Sequence, residues 1–154
     1  MKRTELKRTG GLKRSRIKKA SSSPVRALEQ EADGLIQELT CKGHKCAVCG
    51  SWQGLSGHHV IGKAQCRGAL YWLRHERINV IPLCVDHHIP FAHGKPVEFR
   101  EWMMERMAGT MAWLIRMEAR AGGEDRGRRS AEHLTETIER LRRMLNENPA
   151  PNGS

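Results

Sequence analysis

The sequence predicts a small α+β protein that is mainly helical and contains one pair of short strands. Two observations lead to this class. Apolar residues recur at spacings of three and four along three stretches, which is the pattern of amphipathic helices. Two short runs, residues 56–61 and 78–83, have the character of strands. With 154 residues the chain is long enough for one modest domain with appendages.

The first predicted helix spans residues 24–40. Ser23 is a suitable N-cap, and Pro24 suits the first helical position because its fixed φ is already helical. Acidic residues are expected on the outer face of this helix, which favours a role as scaffold. The apolar residues of its other face are Val25, Leu28, Ala32, Leu35, Ile36 and Leu39.

Two further helical stretches follow in the second half of the chain. One begins at Pro96, is expected to bend or break at Gly109, and ends at Gly122 and Gly123. The last helix is predicted at residues 130–147. Its apolar residues form a narrow stripe on one face: Leu134, Ile138, Leu141 and Leu145. Such a stripe either docks on the body of the protein or pairs with a second copy, which is a weak case for a dimer.

The positive charge is concentrated at the start of the chain. Residues 1–26 carry ten Lys or Arg against one acid, Glu5, and so supply +9 of the net charge of +10. Residues 1–23 are predicted to form a disordered basic arm that neutralises DNA or RNA phosphates, with a solubilising tail as the alternative. The main domain is expected at residues 24–122, and residues 148–154 should be a flexible tail.

Cysteine and histidine residues dominate the middle of the chain. Cys46 and Cys49 have the C-x2-C spacing of a zinc knuckle, followed by Gly50, where such a turn often needs a positive φ. Cys84 and His87 repeat the two-residue gap. Two such pairs within 42 residues favour a closed tetrahedral site for structural Zn²⁺ over ordinary buried cysteines.

The remaining cysteines bear on compartment. Five is an odd number, and no apolar segment suits export or membrane insertion. Thiolates on metal in a reducing cytosol, without contact to a membrane, are therefore expected. Cys41 and Cys66 are spare thiols, and Cys41 is an alternative ligand for the zinc site.

Paired histidines lie between the two zinc pairs. His58 and His59 are neighbours on the first predicted strand, so their side chains must point to opposite faces. One can face a metal while the other acts from a different side. A short helix is predicted from Cys84 to about His93, and it carries His88 back over the strand pair.

This order of strand, strand and helix, with a His-His pair, an Asn and a final His, resembles the HNH endonucleases. Their fold is a ββα-metal finger, and many members carry a paired-cysteine zinc site. The similarity is closest to phage recombination-type members with a C-x-x-H-H ending. It covers residues 41–95, about a third of the chain.

The resemblance implies roles for individual residues. His59 matches the general base, Asn79 the asparagine that holds the base, and His58 and His88 the ligands of a catalytic divalent cation. Many members have Asp in place of His58, and imidazole favours softer metals than carboxylate does. Mg²⁺ or Mn²⁺ is expected, with Ni²⁺ or Zn²⁺ as alternatives. His93 is a minor candidate for a further ligand or a phosphate contact.

Basic residues mixed with aromatic ones connect the two strands, as in loops that contact nucleic acid. Trp72 in this loop suits either such a contact or the core, and His75 is expected at the surface. The residues predicted to bind nucleic acid are Lys2, Arg3, Lys7, Arg8, Lys13, Arg14, Arg16, Lys18, Lys19, Lys63, Arg67 and Arg74.

The function predicted from these features is that of a metal-dependent endonuclease or nickase. It would hydrolyse phosphodiester bonds of DNA or RNA. The resemblance places this activity in phage or bacterial recombination or DNA processing, in the bacterial or phage-infected host cytosol. A recombination protein is a further expected partner. The alternative is a non-enzymatic zinc-containing module that binds nucleic acid. A third, weaker hypothesis is a catalytically inactive family member that serves as a scaffold.

Overall fold

The structure is a computed structural model, and it describes residues 23–120 and 129–147. It confirms a small, mostly helical α+β fold with one two-stranded antiparallel sheet. In chain order the elements are α1 (Pro24–Cys41), β1 (Ser56–His59), a 3-10 helix (Gly68–His75), a second 3-10 turn (Arg77–Asn79), β2 (Val80–Leu83), α2 (Val85–His87), a π-helix (His88–His93), α3 (Pro96–Arg106), α4 (Ala108–Arg120) and α5 (Ala131–Glu147).

Helices α1 and α5 pack against each other and form the support of the domain. The Ser23 side chain accepts a hydrogen bond from the N–H of Arg26, with Pro24 at the start of α1, as the sequence predicts. The predicted stripe of α5 is buried against α1 and its neighbours. Because docking on α1 already buries this stripe, pairing with a second copy is not needed to cover it.

The sheet is an antiparallel pair in which His58 lies opposite Ile81 and His59 opposite Val80. Both strands are shorter than the predicted runs of residues 56–61 and 78–83. The strand pairing stops at His59 because the backbone N–H and C=O of Ile61 are hydrogen-bonded to a side chain, that of Asn79. Asn79 itself belongs to the 3-10 turn that precedes β2.

The segment after β2 does not form one regular helix, contrary to the prediction for residues 84–93. It divides into the short α2 and the π-helix, in which the N–H of Gly94 bonds to the carbonyl of Ile89. Pro90 lies inside this segment. Proline lacks an N–H and its ring clashes with the carbonyl four residues earlier, so a regular α-helix is disfavoured there. The wider turn of the π-helix changes which side chains share a face.

Helices α3 and α4 complete the core on the other side of the sheet. The break between them lies at Met107, whose backbone leaves the helical region, and not at Gly109, which lies inside α4. Phe99 and Met103 from α3 pack with Met111 from α4 against β2. These two helices form one wall beside His58.

Several predictions concern residues outside the described ranges. These are the basic arm up to residue 22, the helix end at Gly122 and Gly123, and the tail at residues 148–154. Among the helices of the described residues, none has the length and apolar character needed to cross a membrane.

Candidate metal centres and catalytic histidine

The two predicted zinc pairs come together in one cluster, named here the thiolate cluster: Cys46, Cys49, Cys84 and His87. A tight turn presents the first pair. The N–H of Gly50 bonds to the carbonyl of Cys46 at 2.8 Å, and Gly50 has the positive φ of 72° that the sequence predicts. A left-handed φ of this kind favours glycine because other residues clash through Cβ. The second pair is presented by the start of α2.

The sulfur–sulfur distance between Cys49 and Cys84 matches two ligands of a tetrahedral zinc ion. Sγ of Cys49 lies 3.8 Å from Sγ of Cys84. Nδ1 of His87 lies 3.8 Å from Sγ of Cys46 and 3.1 Å from Sγ of Cys84. Zinc–sulfur bonds of about 2.3 Å in a regular tetrahedron place two sulfurs about 3.8 Å apart. All four ligand atoms lie within 4.8 Å of one another, close enough to bind a metal such as zinc.

Two cysteines of the thiolate cluster differ in their electrostatics: burial and the neighbouring Cys46 and Cys49 raise the pKa of Cys84, whereas the pKa of Cys46 is lowered. Burial raises the pKa of the Cys46 thiol, but hydrogen bonds from the backbone N–H groups of Cys84, Cys49 and Val48 outweigh burial and lower the pKa to about 6. A thiolate is the form that binds metal, so Cys46 is prepared for coordination at neutral pH.

The two spare thiols take other roles. Cys41 lies outside the cluster and is half-buried on α1, near the side-chain amide of Gln37. Cys66 is buried, and its thiol donates to the carbonyl of Ile61 at 3.4 Å. Burial raises the pKa of Cys66 to about 11, so it remains a neutral core thiol.

A second group, named here the histidine cluster, consists of His58, His88 and His93, whose ring nitrogens lie within 4.8 Å of one another. Their ring centroids are 5.0 to 5.2 Å apart. Nδ1 of His58 is buried and has no hydrogen-bond partner in the described part of the chain. Buried polar atoms are normally satisfied, so this nitrogen fits a site that receives a cation.

The π-helix explains why His93 joins this cluster. His88 and His93 are five positions apart, a spacing that a regular α-helix places on different faces at 3.6 residues per turn. The wider turn stacks the two rings at an interplanar angle of 29°. The position of His93 beside His58 and His88 thus agrees with the prediction that it is a further metal ligand. Pro90 was the sequence signal for the irregular turn.

Ser56 is a site residue that sequence reasoning missed. Its hydroxyl is hydrogen-bonded to Nδ1 of His88. Metal-binding histidines usually have their second nitrogen fixed by such a partner, which orients the ring. Because Nδ1 is engaged, Nε2 of His88 is left for an ion. No spacing rule links a serine on β1 to a histidine 32 residues later.

A partly open cavity of about 330 Å³ lies beside His58, between α3, α4 and the turn that follows β1. Most of the residues that line it are apolar, and Arg100 and Glu118 are the charged residues at its lining. The edge of Phe99 contacts the His58 ring at a centroid distance of 5.1 Å. Of the histidine cluster, only His58 lines this cavity.

His59 points away from the histidine cluster, as strand alternation requires. Its Nε2–H donates to the carbonyl of Arg74 at 2.9 Å. A carbonyl only accepts, so the hydrogen belongs on Nε2 and the lone pair on Nδ1. Burial lowers the pKa of His59 to about 4, against the opposing effect of this hydrogen bond. The ring is therefore neutral at pH 7 and can accept a proton.

Asn79 holds the backbone around His59 and does not bond to the His59 ring. Its side chain is fully buried and pairs with both the N–H and the C=O of Ile61, at 2.7 and 3.1 Å. It also donates to the carbonyl of Leu73 at 3.0 Å. The amide thus fixes the turn after β1 and the residue before Arg74.

The loop between the strands differs from the prediction at several residues. Arg74 is turned inward and makes two hydrogen bonds to Asp33, at 2.9 and 2.7 Å. Lys63 and Arg67 are both exposed, and Lys63 pairs with the same carboxylate. The predicted phosphate contact of Arg74 is thus without geometric support, while Lys63 and Arg67 stay untested predictions.

His75 and Trp72, in the same loop, both pack in the core. His75 is buried, with 1% of its surface exposed, and does not lie at the surface. Trp72 packs edge-on against Trp113 from α4, which agrees with the core alternative. The acidic residues of α1 are also not all on its outer face, because Glu29 and Asp33 contact the 3-10 helix. Sequence spacing alone cannot identify such long-range pairs.

Comparison of the chain with protein-family models, with curated proteins and with solved structures finds no match.

Proposed function

We propose that this protein is a metal-dependent HNH endonuclease that hydrolyses DNA phosphodiester bonds. One observation carries the proposal: a cluster of three histidines lies on one side of β1, and a neutral histidine with a fixed tautomer lies on the other. The order of two strands and a helical segment, braced by the thiolate cluster, supports assignment to the ββα-metal finger.

In this proposal His59 is the general base. Its Nε2–H is held by the Arg74 carbonyl, so Nδ1 is the atom that takes a proton from the attacking water. Its lowered pKa keeps the ring neutral at pH 7, the state that a base requires. Positioned proton transfer of this kind contributes about 10² to 10⁴ in rate.

The histidine cluster would hold the catalytic divalent cation. When bound, the cation polarises a phosphate oxygen and stabilises the departing oxyanion. Three neutral imidazoles leave coordination positions for phosphate and water, which is typical of a catalytic site. An all-histidine set favours Mn²⁺, Ni²⁺ or Zn²⁺ over Mg²⁺, because imidazole is a softer ligand than carboxylate.

The thiolate cluster would hold structural Zn²⁺. Its four protein side chains are close enough to bind one ion, and as a tetrahedral set they would leave no position for a substrate. The basic residues 1–26 supply charge for sequence-independent contacts with DNA phosphates. Such contacts give affinity for the backbone and no choice of base sequence, which suits an enzyme of DNA recombination or processing.

Cleavage of supercoiled plasmid by the zinc-loaded protein tests the proposal. Parallel reactions contain Mg²⁺, Mn²⁺, Ni²⁺ or added Zn²⁺, with EDTA as the control, and duplex, nicked, branched and single-stranded DNA and RNA are compared. We expect nicked or linear product with at least one metal and none with EDTA. If no form is cut with any metal while DNA is still bound, the non-enzymatic zinc module becomes the better description.

A further inference from the structure

One carboxylate on α1, that of Asp33, accepts four hydrogen bonds from residues of the loop between the strands. Asp33 accepts from Nε and Nη2 of Arg74 at 2.9 and 2.7 Å, and from Nε2 of His75 at 3.0 Å. It also accepts from Nζ of Lys63 at 2.9 Å. A carboxylate offers about four acceptor sites, so Asp33 is fully used.

These bonds fasten two consecutive residues of the 3-10 helix to α1. The paired bonds to the Arg74 guanidinium fix its orientation, since two parallel N–H bonds allow little rotation. His75 is buried, so its bond to Asp33 is shielded from water. Burial alone would raise the pKa of Asp33, but hydrogen bonds from His75, Arg74 and Lys63 hold that pKa well below its usual range. The carboxylate is therefore ionised throughout the neutral range.

The same short segment, Leu73–His75, presents three successive carbonyls to three side chains from different elements. Asn79 donates to the carbonyl of Leu73 at 3.0 Å, and His59 donates to the carbonyl of Arg74 at 2.9 Å. Arg140 of α5 donates to the carbonyl of His75 at 3.2 Å. We call these three residues the carbonyl segment. Its middle carbonyl is the group that sets the tautomer of His59.

We propose that Asp33 is a positioning residue for His59, acting through the carbonyl segment, and that Arg140 supports the same segment from α5. This inference rests on the proposed function for its effect on cleavage. In the described residues Asp33 makes no hydrogen bond to His59 or to the histidine cluster, and its charge acts on His59 only through space. It fixes the side chains of Arg74 and His75, and thereby the direction of the Arg74 carbonyl that holds Nε2–H of His59 in place.

Asp33→Asn is the first test, because it keeps the size of the side chain and replaces one acceptor oxygen with a donor. That donor would face the N–H groups of Arg74 or Lys63. Glu31→Gln is the matched control, since Glu31 is an α1 acid whose exposed pair is with Arg142 on α5. We expect Asp33→Asn to lower kcat by roughly ten- to a hundred-fold, the size seen for outer partners of metal-site ligands. KM, zinc content and DNA affinity should stay near wild type.

A double-mutant cycle separates positioning from general support. If Asp33 acts through His59, Asp33→Asn should cause no further loss in a His59→Ala background, because the group that it positions is gone. Equal losses in both backgrounds would overturn the inference while leaving the nuclease proposal intact.

The ring of His59 also gives a readout that does not depend on cleavage. Long-range ¹H–¹⁵N spectra of the full-length, zinc-loaded protein at pH 7.5 distinguish the two tautomers, and the His59 signals are assigned by their loss in His59→Ala. We expect the Nε2–H tautomer in wild type and Glu31→Gln, and a mixture in Asp33→Asn. A pure Nε2–H signal in Asp33→Asn would overturn the inference even if the wild type cuts no DNA.

A second variant covers the case in which Asp33→Asn does not fold. Arg140→Gln removes the bond to the His75 carbonyl from a partly exposed position, where the cost to folding should be small. We expect a smaller shift of the His59 tautomer in the same direction. Unchanged His59 spectra in Arg140→Gln, together with an unfolded Asp33→Asn, would assign Asp33 to stability alone.

Discussion

The thiolate cluster and the histidine cluster meet at a single peptide bond, yet their compositions differ. His87 belongs to the first and His88 to the second. The thiolate cluster gathers three sulfurs and one nitrogen, enough to complete a tetrahedron. The histidine cluster gathers three nitrogens beside a cavity of about 330 Å³. Four protein ligands are typical of a structural ion, whereas three with open access are typical of a catalytic one.

One short segment, residues 84–93, contributes side chains to both clusters. The thiolate cluster fixes the start of α2, and the π-helix then turns His88 and His93 toward β1. Loss of the first cluster should therefore disturb the second, while loss of the second should leave the first intact. Variants of the thiolate cluster should therefore have larger effects than variants of the histidine cluster.

Loss of a thiolate ligand should have the largest effect. We expect Cys49→Ser to lose bound zinc and most of its helical signal, because a structural zinc contributes on the order of 10 kcal/mol to a small fold. Elemental analysis and circular dichroism measure the two losses. Cys41→Ser is the matched control, since Cys41 lies outside the cluster and should keep one zinc per chain. A folded Cys49→Ser that lacks zinc would show that the fold does not depend on this ion.

Removal of the proposed base should abolish cleavage and leave both clusters in place. We expect His59→Ala to reduce the plasmid cleavage rate by about 10² to 10⁴, the usual contribution of a general base. Added metal should not restore the rate, because a cation cannot accept the proton. His44→Ala, which changes an exposed histidine outside both clusters, is the control and should cut normally. Cleavage by His59→Ala at the wild-type rate would refute the assignment of the base.

Sequence reasoning predicted more of the thiolate cluster than of the histidine cluster, for a physical reason. The C-x2-C and C-x2-H pairs are local patterns, since each ligand pair lies within one turn of the chain. The position of His93 depends on a π-helix that spacing rules do not include. Ser56 and Asp33 act on residues more than 30 positions away. Such contacts are set by tertiary packing, of β1 against the π-helix for Ser56 and of α1 against the 3-10 helix for Asp33.

The same limit explains the errors in the loop between the strands. Arg74 and His75 have the composition of a surface that contacts nucleic acid, and periodicity cannot tell which charged residues are turned inward. Burial of Arg74 is stabilised by Asp33 and Glu29, from a helix 41 or more residues earlier. The small α+β class could be predicted from the sequence because helix and strand periods are local patterns. The partners of buried charges could not be predicted, because they are distant in the sequence.

The adjacent histidines 87 and 88 offer the sharpest contrast between the clusters. We expect His88→Ala to lower the affinity of the histidine cluster for its cation by at least about ten- to a hundred-fold, with zinc content and fold unchanged. Excess Mn²⁺ or Ni²⁺ should partly restore cleavage. His87→Ala should instead lose zinc and fold, and no excess of catalytic metal should restore it. Metal titrations of the cleavage rate measure both effects. Identical behaviour of the two variants would mean that the clusters are not separate.

The pH dependence of cleavage should show the smallest effect. Burial, together with the nearby His88 and His93, lowers the pKa of His58 to about 4, and burial lowers the pKa of His59 to about 4. A lowered pKa means that the neutral ring, which binds metal or accepts a proton, persists to more acidic pH. At saturating metal the rate should therefore stay level from about pH 7.5 to 5.5 and fall toward pH 4, whereas ordinary histidines titrate near 6.5.

The free energy of unfolding should also decrease as the pH falls. The reason is that the unfolded chain takes up protons on these rings from about pH 6.5 downward and the folded chain does not. Circular dichroism at each pH separates this loss of fold from loss of activity. A fall in rate centred near pH 6.5, with the fold intact, would show that these two rings titrate like exposed histidines.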